Sequence, residues 1–174
     1  MRSKALVRFY TILKLLDTVN QAVGKTFIQK ALYIIKEGFS LDLDYQFRLY
    51  YYGPYSDKIS ADIDTLESGR LLRIEHDNST GYQISITSQG KNFIKNFETE
   101  IENIEEINEK INKVLKLSEN KTAREMELLG TTLYFLKFTE DERKLLNSVK
   151  MTKPHFTDIE IQNAIQKIKS TILN

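Results

Sequence analysis

The sequence predicts an α+β fold that is mostly α, and three observations carry the prediction. Apolar residues recur at spacings of three and four along most of the 174 residues, the period of amphipathic helices. Two short runs, Leu72–Glu75 and Tyr82–Thr87, alternate with period two instead and mark a β-hairpin. Toward the C-terminus Thr122/Glu125, Thr139/Glu142 and Thr157/Glu160 each have the spacing of a capping box, in which Thr and Glu satisfy each other's backbone donors. The expected organisation is a mixed N-terminal module over residues 1–90 and an α-helical region over 91–174, made of a long helix and three shorter capped ones.

Taken in order, residues Lys4 to Val19 place Leu6, Phe9, Tyr10, Leu13 and Leu16 on one helical face. A second helix is expected from Lys25 to Glu37, with Phe27, Ile28, Ala31, Leu32 and Ile35 inward and Gly38 ending it. Residues 45–52 are rich in β-formers and read as a short extended segment. Pro54 holds Gly53 out of the α region, and Ser56 reads as an N-cap whose hydroxyl accepts from a free backbone N–H. Asp57 follows in the first turn, where the helix dipole favours an anion. That helix buries Ile59, Ile63 and Leu66 and ends near Gly69. His76 to Gly81 is a polar loop at the tip of the hairpin. From Lys91 to about Leu117 the positions Ile94, Phe97, Ile101, Ile104, Ile111 and Leu115 suggest one long helix with a seven-residue period, and Asn108 stands where an apolar residue is due. Met126, Leu129, Leu133 and Leu136 echo that period, so an antiparallel helix pair is expected, with Asn108 in its seam.

Composition narrows the function. There is no Cys and there are only two His, His76 and His155, so thiol chemistry, disulfides and cysteine-ligated zinc are excluded, and a reducing, cytoplasmic setting is expected. No apolar run approaches the ~18 residues of a membrane helix, and the charged opening residues lack a small-residue cleavage site, so neither a membrane span nor a secretory signal is expected. The net charge of +1 conceals polarity. Up to Lys36 the bases Arg2, Lys4, Arg8, Lys14, Lys25, Lys30 and Lys36 face one acid, Asp17. From Glu37 to Asp77 acids predominate. Gly24-Lys25-Thr26 is not a phosphate loop, because Val19 stands where such a loop needs a further Gly. The pairs Asp42/Asp44 and Asp62/Asp64 have the chemistry to hold a magnesium ion, yet no third carboxylate or Gly-rich loop accompanies them, and a solvated surface is the expectation. No catalytic residue, metal or cofactor is assigned.

Helix, helix, short strand, helix and two-stranded wing is the order of a winged-helix domain. Leu66-x-x-Gly69-x-Leu71-Leu72 resembles the end of a winged-helix recognition helix. Tyr82-x-Ile84-x-Ile86-Thr87-x-x-Gly90-Lys91 looks like the second wing strand and linker helix of MarR- and PadR-like regulators, with Thr87 or Ser88 as the cap. More narrowly, Phe27-Ile28-Gln29-Lys30-Ala31-Leu32-Tyr33 is similar to the "LQKLLYL" stretch of the YwgA-like and Panacea (SocA-like, antitoxin-associated) proteins. Tyr51-Tyr52-Gly53-Pro54-Tyr55-Ser56 resembles their "YHYGPYS" signature, with Tyr51 where a His is common. The resemblance spans roughly residues 25–90. It implies a winged-helix-like module in antitoxin, proteolytic-adaptor or otherwise uncharacterised roles, without established catalysis.

The expectation is therefore a non-enzymatic protein-interaction module that restrains or presents a protein partner. Its contact surface would be the exposed tyrosines and the third helix: Tyr51, Tyr55, Asp57, Ala61, Asp62 and Asp64. The alternative is a dsDNA-binding transcription regulator of winged-helix type. Duplex DNA carries one charge per ~1.7 Å of axis and would be repelled by the acidic third helix, so its contacts would fall to Lys25, Lys30, Arg73 and His76. Monomer and homodimer through the C-terminal helices both stay open.

Overall fold

Two helices and the bridge between them form the base of the fold. In the computed structural model, which describes residues 3–173, α1 (Lys4–Val19) turns Tyr10, Leu13 and Leu16 fully inward. Of the N-terminal basic cluster, Arg2 lies outside the described residues. α1 ends at Asn20, whose left-handed backbone (φ 54°) lets its N–H bond the Leu16 carbonyl. α2 (Lys25–Tyr33) buries Phe27, Ile28, Ala31 and Leu32 and then widens into one π-helical turn, Ile34–Gly38. Gly38 ends it beneath the last helix, where a Cβ would come within 2.7 Å of Ile172.

The extended segment expected over 45–52 is instead split by a turn. β1 (Arg48–Tyr50) pairs antiparallel with β2 (Gly53–Tyr55), and Gly53, at φ 88°, supplies the left-handed backbone that reverses the chain. α3 (Asp57–Ser68) turns Ile59, Ile63 and Leu66 into the core as expected. β3 (Leu72–Asp77) and β4 (Gly81–Ile86) form the second hairpin, in register from Leu72↔Ile86 to Asp77↔Gly81. Its tip is shorter than the sequence suggested. Pairing continues through His76↔Tyr82 because the Asp77 carboxylate folds the turn, accepting from the N–H groups of Ser79 and Thr80 at 2.8 Å each. Val23, between α1 and α2, adds a third chain by exchanging both backbone bonds with Ile84, at 3.0 and 2.8 Å.

The long helix of residues 91–117 is two helices. α4 (Ser88–Phe97) starts at Thr87, whose side chain accepts from the Gly90 N–H, and gives way to one 3₁₀ turn. Ile101 is extended and buried and Asn103 is left-handed before α5 (Ile104–Leu117) begins. Both pieces pack against α1, and the break lets the chain bend around it while Ile101 drops into the core. Asn108 consequently sits in no apolar seam; half-buried, it accepts from the Tyr10 hydroxyl at 3.4 Å.

α6 (Ala123–Leu136) lies chiefly on α2, not on α5, and carries α7 (Glu142–Thr152) and α8 (Asp158–Ile172) on its other sides. The boxes Thr122/Glu125 and Thr157/Glu160 form in full. Thr139/Glu142 does not: Asp141 is the cap, its carboxylate accepting from the N–H groups of Arg143 and Lys144, while Thr139 accepts from Asp141 N–H. A carboxylate two residues further on competes successfully with a hydroxyl for the helix donors, and the start moves with it. One hydrophobic core runs through the elements of both halves. Among the described residues no helix is long and apolar enough to cross a membrane.

Candidate functional site

The two stretches that carry the sequence resemblance meet in space. Gln29 and Lys30, consecutive on α2, are both almost wholly buried and both reach the β1–β2 hairpin. The Gln29 amide grips Ser56 as a neighbouring strand would: its Oε1 accepts from the Ser56 N–H and its Nε2 donates to the Ser56 carbonyl, both at 2.9 Å. Lys30 Nζ donates to the Pro54 carbonyl at 2.6 Å. These contacts give the hairpin polar anchors behind it, since strands of three residues cannot hold themselves. They also correct the reading of Ser56. It stands at the N-cap of α3, but its hydroxyl makes no capping bond and is buried without a partner; the backbone of Ser56, held by Gln29, is what matters.

α6 closes the site from behind. Its Gly130 lets the Lys30 stem pass, with a hypothetical Cβ 3.3–3.5 Å from three Lys30 carbons. Glu127, also buried, pairs at 2.7 Å with Lys153, which comes from the α7–α8 connection and is itself 2% exposed. Lys153 Nζ donates to the Tyr51 carbonyl and stands 5.8 Å from the centre of the Tyr52 ring. Glu127 thus pairs directly with Lys153 and favours the charged form of Lys30 only through its field. Burial lowers the Lys30 pKa to about 8, with Glu127 opposing the shift and Lys153 adding to it. Sequence reasoning singled out neither Glu127 nor Lys153. The available signal was Glu127 itself, a carboxylate set in the otherwise apolar run from Met126 to Leu129.

In front, the hairpin presents Tyr50, Tyr51 and Tyr52 at 48, 80 and 63% exposure. Tyr50 touches Tyr51 and Tyr55, with ring centres 4.8 and 5.6 Å apart. Tyr55 is half-buried and shares a 2.8 Å hydrogen bond with Ser60. Arg48 lies over the Tyr50 ring and reaches Asp57 at 3.2 Å, linking the hairpin to α3. Asp57, Ala61 and Asp64 are exposed on the outer face of α3, as their spacing required. A cavity of about 140 Å³ opens between α2 and the hairpin, lined by Thr26, Gln29, Lys30, Tyr50, Tyr52 and Tyr55.

Other candidate residues lie elsewhere. Asp62 is not on the outer face of α3 but buried, accepting from Arg8 Nε at 2.7 Å and from the Tyr45 hydroxyl at 2.8 Å. Ile59, Asp62, Ile63 and Leu66 are i, i+3, i+4 and i+7, so Asp62 falls within the inward stripe and Arg8 is its matching buried charge. The Asp62 bond raises the already high pKa of Arg8, and burial pushes the Tyr45 phenol far above its usual range. Lys30 is buried rather than available to a phosphate. Lys25 faces Asp64 at 3.8 Å, Arg73 faces Glu75 at 3.5 Å, and the His76 ring packs edge-on against Tyr82 at 5.0 Å. The aspartate pairs are separated by their partners: Asp44 bonds Lys58, Asp62 bonds Arg8 and Asp64 faces Lys25. Among the described residues no cluster of three or more His, Asp or Glu is placed to hold a metal ion.

No protein-family model matches the chain. It is 25% identical over 162 residues to a Bacillus subtilis (strain 168) protein named uncharacterized protein YwgA, covering 91% of this chain and 92% of that protein. The similarity supports a YwgA-like relationship. It extends beyond residues 25–90 into the C-terminal helices, which supply Glu127 and Lys153 to the hairpin.

Proposed function

We propose that the protein is a non-enzymatic interaction module, antitoxin-like or adaptor-like, that holds another protein against the tyrosine hairpin and the adjoining outer face of α3. The observation that carries this reading is the contrast between the two sides of the hairpin. Its back is fixed by Gln29, Lys30 and Lys153, while its front exposes three consecutive tyrosines. Pre-positioned tyrosines offer large contact area at little entropic cost, the property of residues that dominate protein interfaces. The N-terminal half is read as a winged-helix-like module, supported by the element order and by the Val23–Ile84 bridge that adds a third chain to the wing. The acidity of the outer α3 face, with Asp57, Asp64 and Glu67 all exposed, favours a basic protein surface over the DNA-regulator alternative.

The test is affinity purification of the tagged protein from its own host, wild type beside Tyr51→Ala/Tyr52→Ala and Asp57→Lys/Asp64→Lys, with protein and nucleic acid both identified. A stoichiometric protein that both folded variants lose is the expected result. Recovery of a defined DNA site by the wild type would overturn it.

A further inference from the structure

The β3–β4 hairpin has one closed edge and one open one. Val23 occupies the far side of β4, where the N–H and carbonyl of Ile84 are both spent on it. In an antiparallel ladder a residue's N–H and carbonyl point to the same side, so Ile84 exchanges no bond with Ile74, its opposite number in β3. Alternation then fixes the rest of the strand. Arg73 and Glu75 exchange bonds with β4, whereas Leu72, Ile74 and His76 aim both backbone groups away from it. Among the described residues no further strand borders β3 on that side. The strand contains no Pro or Gly, and Arg73, Glu75, His76 and Asp77 are all exposed along it. A six-residue edge of this kind is a template for another strand.

We propose that this edge pairs antiparallel with the same edge of a second copy of the chain, about a two-fold axis at Ile74. Charge selects both the occupant and the register. With the axis at Ile74, Ile74 and His76 face the second copy's Ile74 and Leu72. Those are the residues whose backbone groups point outward, so each pair exchanges both bonds. The same register sets Arg73 directly opposite the second copy's Glu75, and Glu75 opposite its Arg73. Moving the axis to Arg73 or Glu75 opposes identical charges, and moving it to His76 opposes Glu75 to Asp77; like charges directly opposite are destabilising. Arg73 already lies 3.5 Å from its own Glu75, with the side chains 67 and 65% exposed. Pairing does not consume that contact. Each arginine comes to lie between two glutamates and each glutamate between two arginines, a closed ring of alternating sign. The strand is thus complementary to itself, as an isologous contact requires. One short strand from each copy buries less than the ~1,200 Å² of stable interfaces, so the dimer is weak and forms at high concentration. It uses a different sheet from the tyrosine hairpin and stands or falls independently of the reading above.

Sedimentation equilibrium of the full chain, taken up to about 1 mM, is the test. The wild type is expected to dimerise as concentration rises. Arg73→Glu and Glu75→Lys each set like charges opposite one another, and each should stay monomeric. An equimolar mixture of the two variants should dimerise again, because every opposed pair is then of opposite sign. The chain has no Cys, so Ile74→Cys supplies a single thiol. Residues opposed in a hydrogen-bonded pair stand about 5.5 Å apart at Cα, within disulfide reach. Under mild oxidation Ile74→Cys should cross-link faster than the more exposed Glu75→Cys and His76→Cys, which random collision would favour. Amide exchange at Ile74 and His76 should slow with concentration while Arg73 and Glu75 stay unchanged. A wild type still monomeric at about 1 mM overturns the proposal without reference to any variant's folding. A dimer indifferent to both charge variants, or cross-linking that simply follows exposure, overturns it as well. If the chain stays monomeric and a protein captured from the host slows exchange at Ile74 and His76, the edge serves that protein's strand and self-pairing fails.

Discussion

The two hairpins of this molecule are stabilised in opposite ways. The β3–β4 hairpin has six-residue strands, apolar residues alternating toward the core, and a turn folded by its own Asp77. The β1–β2 hairpin has three-residue strands and is held by side chains from α2 and from the α7–α8 connection. The first owes its turn and strand pairing to its own residues, with the Val23 bridge added at Ile84, and the second is held by polar groups 24 to 102 residues distant in sequence. Local encoding leaves the turn and register of the first hairpin independent of remote polar side chains. Remote encoding makes the display of Tyr50–Tyr52 depend on the C-terminal helices, and so links the two halves of the chain.

The strongest way to break that contrast is to remove Glu127, the carboxylate that pairs with Lys153 behind the remote hairpin. Glu127→Ala leaves Lys153 buried without its partner, and breaking a buried pair costs about 3–5 kcal/mol. Denaturant unfolding should show the loss, and amide exchange should quicken at 50–55 while the β3 amides at 72–77 change only with global stability. Equal quickening of the β3–β4 hairpin beyond that global change would dissolve the distinction.

Next in size is Gln29→Leu, which keeps the volume near constant but strips Ser56 of both backbone partners. An unsatisfied buried polar group costs about 1–3 kcal/mol, so a loss of about 2–3 kcal/mol is expected in the same unfolding measurement. Asp77→Ala is the matching change in the β3–β4 hairpin. It should loosen only the amides of Ser79 and Thr80, because its bonds all lie within the turn. A global effect of Asp77→Ala as large as that of Gln29→Leu would show that the stability of the whole fold also depends on the tip of the β3–β4 hairpin.

The buried lysine adds a pH signature. Lys30 has a folded pKa of about 8 against an ordinary 10.5, so between those values the unfolded chain holds a proton that the folded chain has released. Stability contributed by this site is therefore lowest below about pH 8 and rises with pH toward 10.5, on the order of 1 kcal/mol per pH unit within the window. Above pH 10 the opposite slope sets in. The phenols of Tyr10, Tyr33 and Tyr45, all raised by burial, stay protonated in the fold while the unfolded chain ionises. Unfolding of wild type and Lys30→Met between pH 8 and 10 checks this: the variant should lose the rising limb. A parallel slope in both would remove Lys30 as its source.

The same contrast explains what could be read from the sequence. The stripes of α1 and α3, the strands β3 and β4 and two of three capping boxes follow from spacing alone, because period and cap chemistry are local. The split of residues 91–117 is not local. Its heptad pattern is continuous, and what interrupts it is tertiary packing: both pieces lie on α1, and Ile101 between them enters the core. The tyrosines were visible as a cluster, yet their holder was not, since no spacing rule joins Gln29 to Ser56 or Lys153 to Tyr51. Asp62 was the avoidable error. It occupies an apolar slot of its own helix, and a carboxylate there requires a buried cation, which Arg8 provides.

The smallest effect sharpens the comparison most, because it separates a residue's hydroxyl from its backbone. Ser56 and Thr157 both occupy N-cap positions, of α3 and α8. Thr157 accepts from the Glu160 N–H at 3.2 Å and completes a capping box, so Thr157→Ala should cost about 1 kcal/mol. The Ser56 hydroxyl accepts nothing and is buried without a partner, while its backbone N–H and carbonyl are taken by Gln29. Ser56→Ala removes an unsatisfied polar atom and leaves both Gln29 bonds intact. A change within about 0.5 kcal/mol of wild type is expected, with unaltered exposure of the tyrosines. If Ser56→Ala instead cost as much as Thr157→Ala, its hydroxyl would be a working cap. The start of α3 would then be fixed locally, and the remote clamp from α2 would be an addition to the hairpin rather than the reason it holds its shape.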